Sequence, residues 1–450
     1  MLKLASCTCI VLFMLVMGTV RMMRSEGIFP FDYAMREFSN GLRVIAIPYD
    51  SPGIVAYYTV VRAGSRNEVE PGHSGFAHFF EHMMFRGTEK YPSDKYNEIL
   101  KELGADSNAF TTDDWTCYHI VASKDALETI IDIESDRFQN LKYSEEAFKK
   151  EAGSILGEYN KNYSIPYMEM FEKLRDNAFE AHTYKHTTMG FLRDIEDMPN
   201  QYDYSLIFFD RFYRPENCLI VVVGDVESEK LFELIENSYG TWEPKHYVQE
   251  IPQEPAQAKE KVVKISWKNP TLPYLLMGYH VPAFSDRNME IMALDVLGWI
   301  LFSEVSDLYR KLVIEEGIVE FLQGGYGDHR DPYLFTIISR IKKDQDIQLV
   351  KREIDAAIDE VARGNIDEKK LESVKSHVKY RIALSLDSPD IIATRVCHYL
   401  NLTGDIESIN RVYKLYEEVT PQILQEVVAK YFKPENRTVV TLSYEGGKGS

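Results

Sequence analysis

Apolar positions along the chain recur with two different periods. Residues 42–48 and 55–63 are rich in β-branched and aromatic side chains and flank a turn at 51–53, which predicts two strands. Segments with an apolar residue every three or four positions follow at 75–84, 93–103, 124–141 and 144–161, and these predict helices. A longer regularity organises the whole chain. FYRPENCLIVVVGD, starting at Phe212, resembles YFKPENRTVVTLSY, starting at Tyr431, with Pro434 standing 219 positions after Pro215. In both copies a helical pattern runs into a Pro-Glu-Asn turn and then into a β-branched run. Two copies of an α+β unit, each about 200 residues, therefore fill the chain. Between them, residues 243–261 are rich in Pro, Gln and charge and lack apolar periodicity, as a linker does. The expected organisation is a leader at 1–26, a first domain at 27–245, a linker at 246–261 and a second domain at 262–450. Because strands are joined by short turns and helices come in blocks, the fold class is α+β. It consists of two tandem homologous domains, each a mostly antiparallel β-sheet with helices packed on one face.

Length agrees with this division, since 450 residues exceed what one hydrophobic core usually supports. A formal charge of −19, with no clustered block of Lys and Arg, argues against a nucleic-acid partner. Lys3 is followed by an apolar run at 4–20 that fits a secretory h-region or a signal anchor. Export to a periplasmic or secreted location is expected. A retained membrane anchor is the alternative, because no small-x-small cleavage pattern stands near Arg21 to Arg24. Cys7 and Cys9 lie in the leader. Cys117, Cys218 and Cys397 are too few for a disulfide framework and lack CxxC spacing, so buried free thiols are expected.

Candidate chemistry is concentrated in HFFEH, residues 78–82. At about 100° per residue, His78, Glu81 and His82 fall within about a third of a helix circumference. Two imidazoles one turn apart can share a tetrahedral zinc ion, with the carboxylate beside it acting as a base. A third protein ligand must come from elsewhere, leaving one position for water. Glu151 and Glu158 are the candidates. They point to nearly the same side of the helix predicted at 144–161 but stand about 10 Å apart along its axis. One fits the ligand position, and the other can orient a ligating His through its second ring nitrogen. His73, His119, His182 and His186 show no ligand spacing beyond the i,i+4 pair His182 and His186. That pair lies in a stretch that reads as a loop, so no second metal site is expected.

The blocks LRVIAIPY, RAGSRNE, HSGFAHFFEHMMFRGT, SNAFTTDDWTCYH, HTYKHTTMG and FYRPENCLIVVVGD are similar to those of the pitrilysin and insulinase family of zinc peptidases. Within that family the chain resembles the branch of mitochondrial processing peptidase. The order His-x-x-Glu-His is that of the inverzincins. The resemblance implies one Zn2+ per chain, with His78 and His82 as ligands and Glu81 as catalytic base. The family's spacing selects Glu158, 76 residues after His82, as the third ligand and leaves Glu151 at the supporting position. It also implies that the two halves face each other across a substrate chamber. Asn108, Ala109 and Phe110 of SNAFT would then bind a peptide or unfolded polypeptide as an added edge strand. Alternation turns Phe110 and Ala109 to opposite faces. Single-chain relatives place an Arg and then a Tyr in the second half, where this chain has Val313 and Glu320. The expected protein is therefore the zinc-bearing subunit of a two-chain metalloendopeptidase, whose homologous partner supplies the Arg and Tyr. A non-catalytic, peptide-binding subunit is the alternative.

Overall fold

The computed structural model describes residues 21–23 and 27–447, so the leader expected at 1–26 lies outside the described residues except for a short strand at 21–23. Among the described residues, no helix is long and apolar enough to cross a membrane. The first half contributes β1 (Arg21–Met23), β2 (Tyr33–Glu37), β3 (Arg43–Pro48), β4 (Ile54–Val61), β5 (Asp106–Thr111), β6 (Thr116–Ser123) and β7 (Cys218–Gly224). They form one sheet in the spatial order β1-β2-β3-β7-β4-β6-β5. The second half contributes β8 (Lys261–Trp267), β9 (Tyr274–Val281), β10 (Val319–Tyr326), β11 (Tyr333–Ile341) and β12 (Arg437–Tyr444), in the order β10-β11-β9-β12-β8. The run β5-β6-β4-β7-β3 thus has its counterpart, strand for strand, in the second sheet. Residues 243–260 between the halves carry no helix or strand.

Both sheets are mostly antiparallel, but β3 with β7 and β12 with β8 are parallel. The turn after β3 does not make a hairpin with β4, because β7 is inserted between them. The sequence of β7 explains the insertion. CLIVVVG is buried at every position, and a continuous apolar strand is stable only where both of its faces are covered. The corresponding strand β12 takes the same central place in the second sheet, between β9 and β8.

Helices cover one face of the first sheet: α1 (Phe76–Met83), α2 (Ser93–Glu102), α3 (Leu127–Asn140) and α4 (Glu145–Asn162). The first turn expected for α3 is instead a 3-10 turn at Lys124–Ala126. Phe79, Phe80, Ile130, Phe138, Phe148 and Ile155 join Tyr118, Ile120, Ile220 and Val222 of the sheet in one core. The next helix, α5 (Pro166–Ala178), leaves its own sheet and packs on β8, β9 and β12 of the second. Its Met170 and Leu174 share a core with Leu276, Leu334 and Val440. Reciprocally, the helix Pro389–Thr403 packs on β4 and β7 of the first sheet. Each sheet is therefore covered on one face by helices of its own half and on the other by a helix from the opposite half. Both exchanged helices border the region where the halves meet. A cavity of about 360 Å³ remains, bordered by Thr112, Trp115, Phe171, Arg175, His329 and Leu402.

Candidate metal centre and active site

The helix α1 carries its aromatic residues inward and its polar residues toward α4 and β5. Phe76, Phe79 and Phe80 are buried against the sheet, and the carbonyl of Phe80 accepts a hydrogen bond from the Tyr118 hydroxyl at 3.0 Å. At the start of the helix Gly75 adopts φ 95°, and a Cβ there would lie 2.5 Å from Cδ1 of Ile195. The position suits only glycine. The first helical amides are not capped by a neighbouring side chain but by Glu68, which is fully buried and accepts from the backbone N–H of Gly75 and of Ala77, both at 2.7 Å. Glu68 stands within RAGSRNE, yet no local pattern marks it as the cap of a helix seven residues on.

This placement brings His78, His82 and Glu158 together, with one ligand atom of each within 4.8 Å of the others. Oε2 of Glu158 lies 3.7 Å from Nε2 of His78 and 3.3 Å from Nε2 of His82. Two donors bound to one tetrahedral zinc at about 2.1 Å are about 3.4 Å apart, so the distances from Glu158 to both imidazoles suit that ion. The protonation state of His78 fits as well. Burial lowers His78 to about 4, which leaves it neutral with a lone pair to offer. His82 meets Oε1 of Glu151 at 3.0 Å through Nδ1, which puts the ring proton there and leaves Nε2 as the donor atom. That hydrogen bond also pushes the His82 pKa up. Burial works against ionisation of Glu151, but His82 and Arg86 outweigh it and hold the carboxyl below its usual range. Arg86 Nε donates to Oε2 of Glu151 at 2.5 Å.

Glu81 lies beside this group. Its Oε2 accepts a hydrogen bond from the Thr111 hydroxyl at 2.6 Å, and burial raises its pKa. Thr111 is the last residue of β5, the edge strand of the sheet, so one edge of β5 is left unpaired by any described strand. Along β5, Asn108 is exposed, and its side chain accepts from the N–H of Ala109 at 2.9 Å. Ala109 is buried in the core under α1, whereas Phe110 packs on the opposite face, toward the second half. The alternation of Ala109 and Phe110 is therefore as the sequence predicts. Thr111 was not singled out by the sequence, since only the meeting of β5 with α1 gives it a partner.

The other histidines are engaged elsewhere. His73 stacks on Tyr204 at 3.8 Å, His182 meets Asp331 at 3.0 Å, and His186 donates to the carbonyl of Thr187. Among the described residues, His78, His82 and Glu158 are the group that can hold a metal ion. Cys117, Cys218 and Cys397 are buried free thiols. Of the two positions at which the resemblance leads one to expect Arg and Tyr, Val313 lies in the π-helical segment Arg310–Glu315, and Glu320 pairs with Arg340 at 3.0 Å.

Two family models match the chain. "Insulinase (Peptidase family M16)" covers residues 44–191, and "Peptidase M16 inactive domain" covers 202–378. A zinc protease of Helicobacter pylori, PqqE, is 26% identical over 90% of this chain and 91% of its own length. The beta subunit of mitochondrial-processing peptidase from Dictyostelium discoideum is 30% identical over 45% of this chain and 42% of its own. The solved structure of a protease from Helicobacter pylori superposes with a TM-score of 0.85 at 26% identity, covering 91% of this chain and 99% of that one.

Proposed function

Because the chain belongs to the insulinase family of peptidases, family M16, we propose that it is a zinc-dependent endopeptidase whose metal is held by His78, His82 and Glu158. The observation that carries this reading is the convergence of two imidazole nitrogens and one carboxylate oxygen beside a second, buried carboxylate, Glu81. A zinc ion held by His78, His82 and Glu158 would polarise the carbonyl of the scissile bond and lower the pKa of a water molecule. Glu81 takes a proton from the attacking water on its carboxylate as the water oxygen bonds to the carbonyl carbon, and returns it to the amine nitrogen as the C–N bond breaks. Burial makes it a stronger base than a solvated glutamate. The Thr111 hydroxyl fixes the direction of the Glu81 carboxylate. Glu151 orients His82 without touching the metal. The free edge of β5 receives the substrate as an extended strand, with Asn108, Ala109 and Phe110 beside it, which suits peptides and unfolded polypeptides of many sequences.

We assign the zinc site to a first domain at 27–245 and treat 262–450, beyond the linker at 246–261, as its non-metal counterpart. Because Val313 and Glu320 stand where relatives carry Arg and Tyr, the second half lacks that pair of donors for the charge that develops on the carbonyl oxygen. We infer that a homologous partner chain supplies them, which makes this chain the zinc-bearing subunit of a two-chain enzyme. The apolar run at 4–20 supports export, with the segment either removed or kept as an anchor.

The test is metal content and hydrolysis of a mixed peptide pool by the native protein with any chain that co-purifies. Stoichiometric zinc with hydrolysis that stops in Glu81→Gln, while zinc is retained, supports the reading. Zinc without hydrolysis in the presence of the partner favours a peptide-binding subunit. Full activity of Glu81→Gln removes Glu81 as the base.

A further inference from the structure

The turn between β5 and β6, residues 112–115, is held by residues of both halves of the chain. Asp113 Oδ1 accepts from the Ser65 hydroxyl and from Arg175 Nη2, both at 2.8 Å. Its Oδ2 accepts from Arg175 Nη1 at 3.2 Å and from His329 Nε2 at 3.0 Å. Asp114 accepts from the Tyr184 hydroxyl at 2.5 Å and from the backbone N–H of Arg330 at 2.9 Å. His329 and Arg330 lie between β10 and β11, the strands that correspond to β5 and β6 in the order of the second sheet. Equivalent turns of the two halves thus meet, and one of them carries the strand whose last residue, Thr111, holds Glu81.

The hydrogen bonds of His329 fix its charge. Its Nδ1 is 2.9 Å from the carbonyl oxygen of Gly327, and its Nε2 faces the carboxylate of Asp113. Both partners only accept, so both ring nitrogens must donate and the ring is an imidazolium. Asp113 is ionised, since Arg175 and His329 overcome its burial and hold its pKa far below the usual range. Burial lowers the His329 pKa, and the Asp113 hydrogen bond more than reverses this. Every element packed against the ring bears on its charge. The turn presents Asp113 and Asp114, α5 presents Arg175, Tyr184 meets the ring edge to face at 5.1 Å, and Tyr333 of β11 stacks on it at 3.5 Å. Asp328, Arg330 and Asp331 flank it in its own turn, with Arg66 paired to Asp331.

We propose that His329 is a positioning residue for peptide hydrolysis: as an imidazolium supplied by the second half, it clamps the β5–β6 turn and so holds β5, with Thr111, against Glu81. The proposal rests on the reading of Glu81 as base and of β5 as the peptide-binding edge. It gives the second half a task in the reaction although that half contributes nothing to the metal. The sign of its pH dependence follows from the raised pKa. The clamp is complete while the ring is protonated, and it is lost as pH rises through the His329 value.

Two measurements on the zinc-loaded native protein, with any co-purifying chain, test this. In the first, histidine ring resonances are followed by NMR against pH, with His329 identified by its loss in His329→Gln. The His329 ring should stay an imidazolium well above the ordinary midpoint of about 6.5, and Asp113→Asn should move its midpoint down. A ring already neutral at that pH in the unaltered protein overturns the clamp. In the second, peptide hydrolysis is measured against pH. His329→Gln should raise KM about tenfold, a change of about 1.4 kcal/mol in binding, with a smaller change in kcat and unchanged zinc. It should also lose the alkaline decline in kcat/KM that His329→Lys, which keeps a cation, moves to higher pH. An unchanged KM and pH profile in His329→Gln overturns the positioning role. If no form hydrolyses peptides, the reading of the function fails, while the NMR titration still decides whether the imidazolium clamp exists.

Discussion

Nδ1 of His82 stands 3.0 Å from Oε1 of Glu151, while its opposite ring nitrogen, Nε2, stands 3.3 Å from Oε2 of Glu158. The two glutamates are two turns apart on α4, and the imidazole ring spans the gap between them. One helix thereby supplies both the proposed ligand and the group that aims a second ligand at the same point. Glu151→Ala removes the acceptor of the Nδ1 proton and also leaves Arg86 without its partner. Zinc affinity should fall about 10–100-fold, the usual effect of losing such a support. Competition with a fluorescent chelator measures this, and affinity equal to that of the unaltered protein sinks the role given to Glu151.

The cap supplied by Glu68 leads to a second expectation. Its carboxylate joins the first amides of α1 to a segment that lies before the helix, and nothing else caps that end. In Glu68→Ala two buried N–H groups lose their acceptor, which costs about 1–3 kcal/mol. Because His78 sits in the first turn of α1, fraying there should also weaken zinc binding. Urea unfolding and zinc titration should therefore move together, whereas a loss of stability with unchanged zinc affinity separates the cap from the site.

These two glutamates show how far the sequence could be read. His78, Glu81 and His82 were legible because the helix period alone puts them on one face, and Glu151 and Glu158 were legible for the same reason on α4. Choosing between the two as ligand required the resemblance to a family, since the period does not say which turn of α4 lies opposite α1. Glu68, Thr111, Asp113 and His329 carried no local signal. Thr111 meets Glu81 across 30 residues of chain, and Asp113 meets His329 across 216. Such pairs depend on sheet order and on the exchange of helices between halves. A repeat in the sequence announces two like units, but it does not say that α5 crosses to the other one.

Asp331 allows a prediction about acid stability. Its Oδ2 accepts from Arg66 Nε at 2.5 Å and from His182 Nε2 at 3.0 Å. Burial alone would raise its pKa, but His182 and Arg66 hold it well below the range of a free carboxyl. A folded pKa below the unfolded value of about 3.9 means that the ionised form stabilises the fold above that pH. The contribution is lost as pH falls toward the folded value. Asp331→Asn should lower stability at pH 7 by about 1–3 kcal/mol. The two proteins should converge as the pH drops well below about 4, which Tm measured along a pH series will show. A constant gap down to the lowest pH at which the protein folds means that the loss is one of packing and not of charge.

The seat of the β5–β6 turn provides the last test. Gly64 has an ordinary extended backbone, with φ −141°, so its conformation does not require glycine. The space does. A Cβ at Gly64 would lie 2.4 Å from the carbonyl oxygen of Thr112 and 2.5 Å from that of Asp113. Both obstacles are backbone atoms and cannot swing aside, so in Gly64→Ala either the turn or the segment that follows β4 must move. Such overpacking costs about 1–3 kcal/mol. The displacement falls on the residue after Thr111, and kcat should therefore drop while the proposed zinc ligands, all on α1 and α4, keep their metal. Zinc content, Tm and kcat measured on the same preparation separate the possibilities. A lower Tm with unchanged kcat means that β5 reaches Glu81 without help from its turn, and zinc loss means that the disturbance has spread into α1.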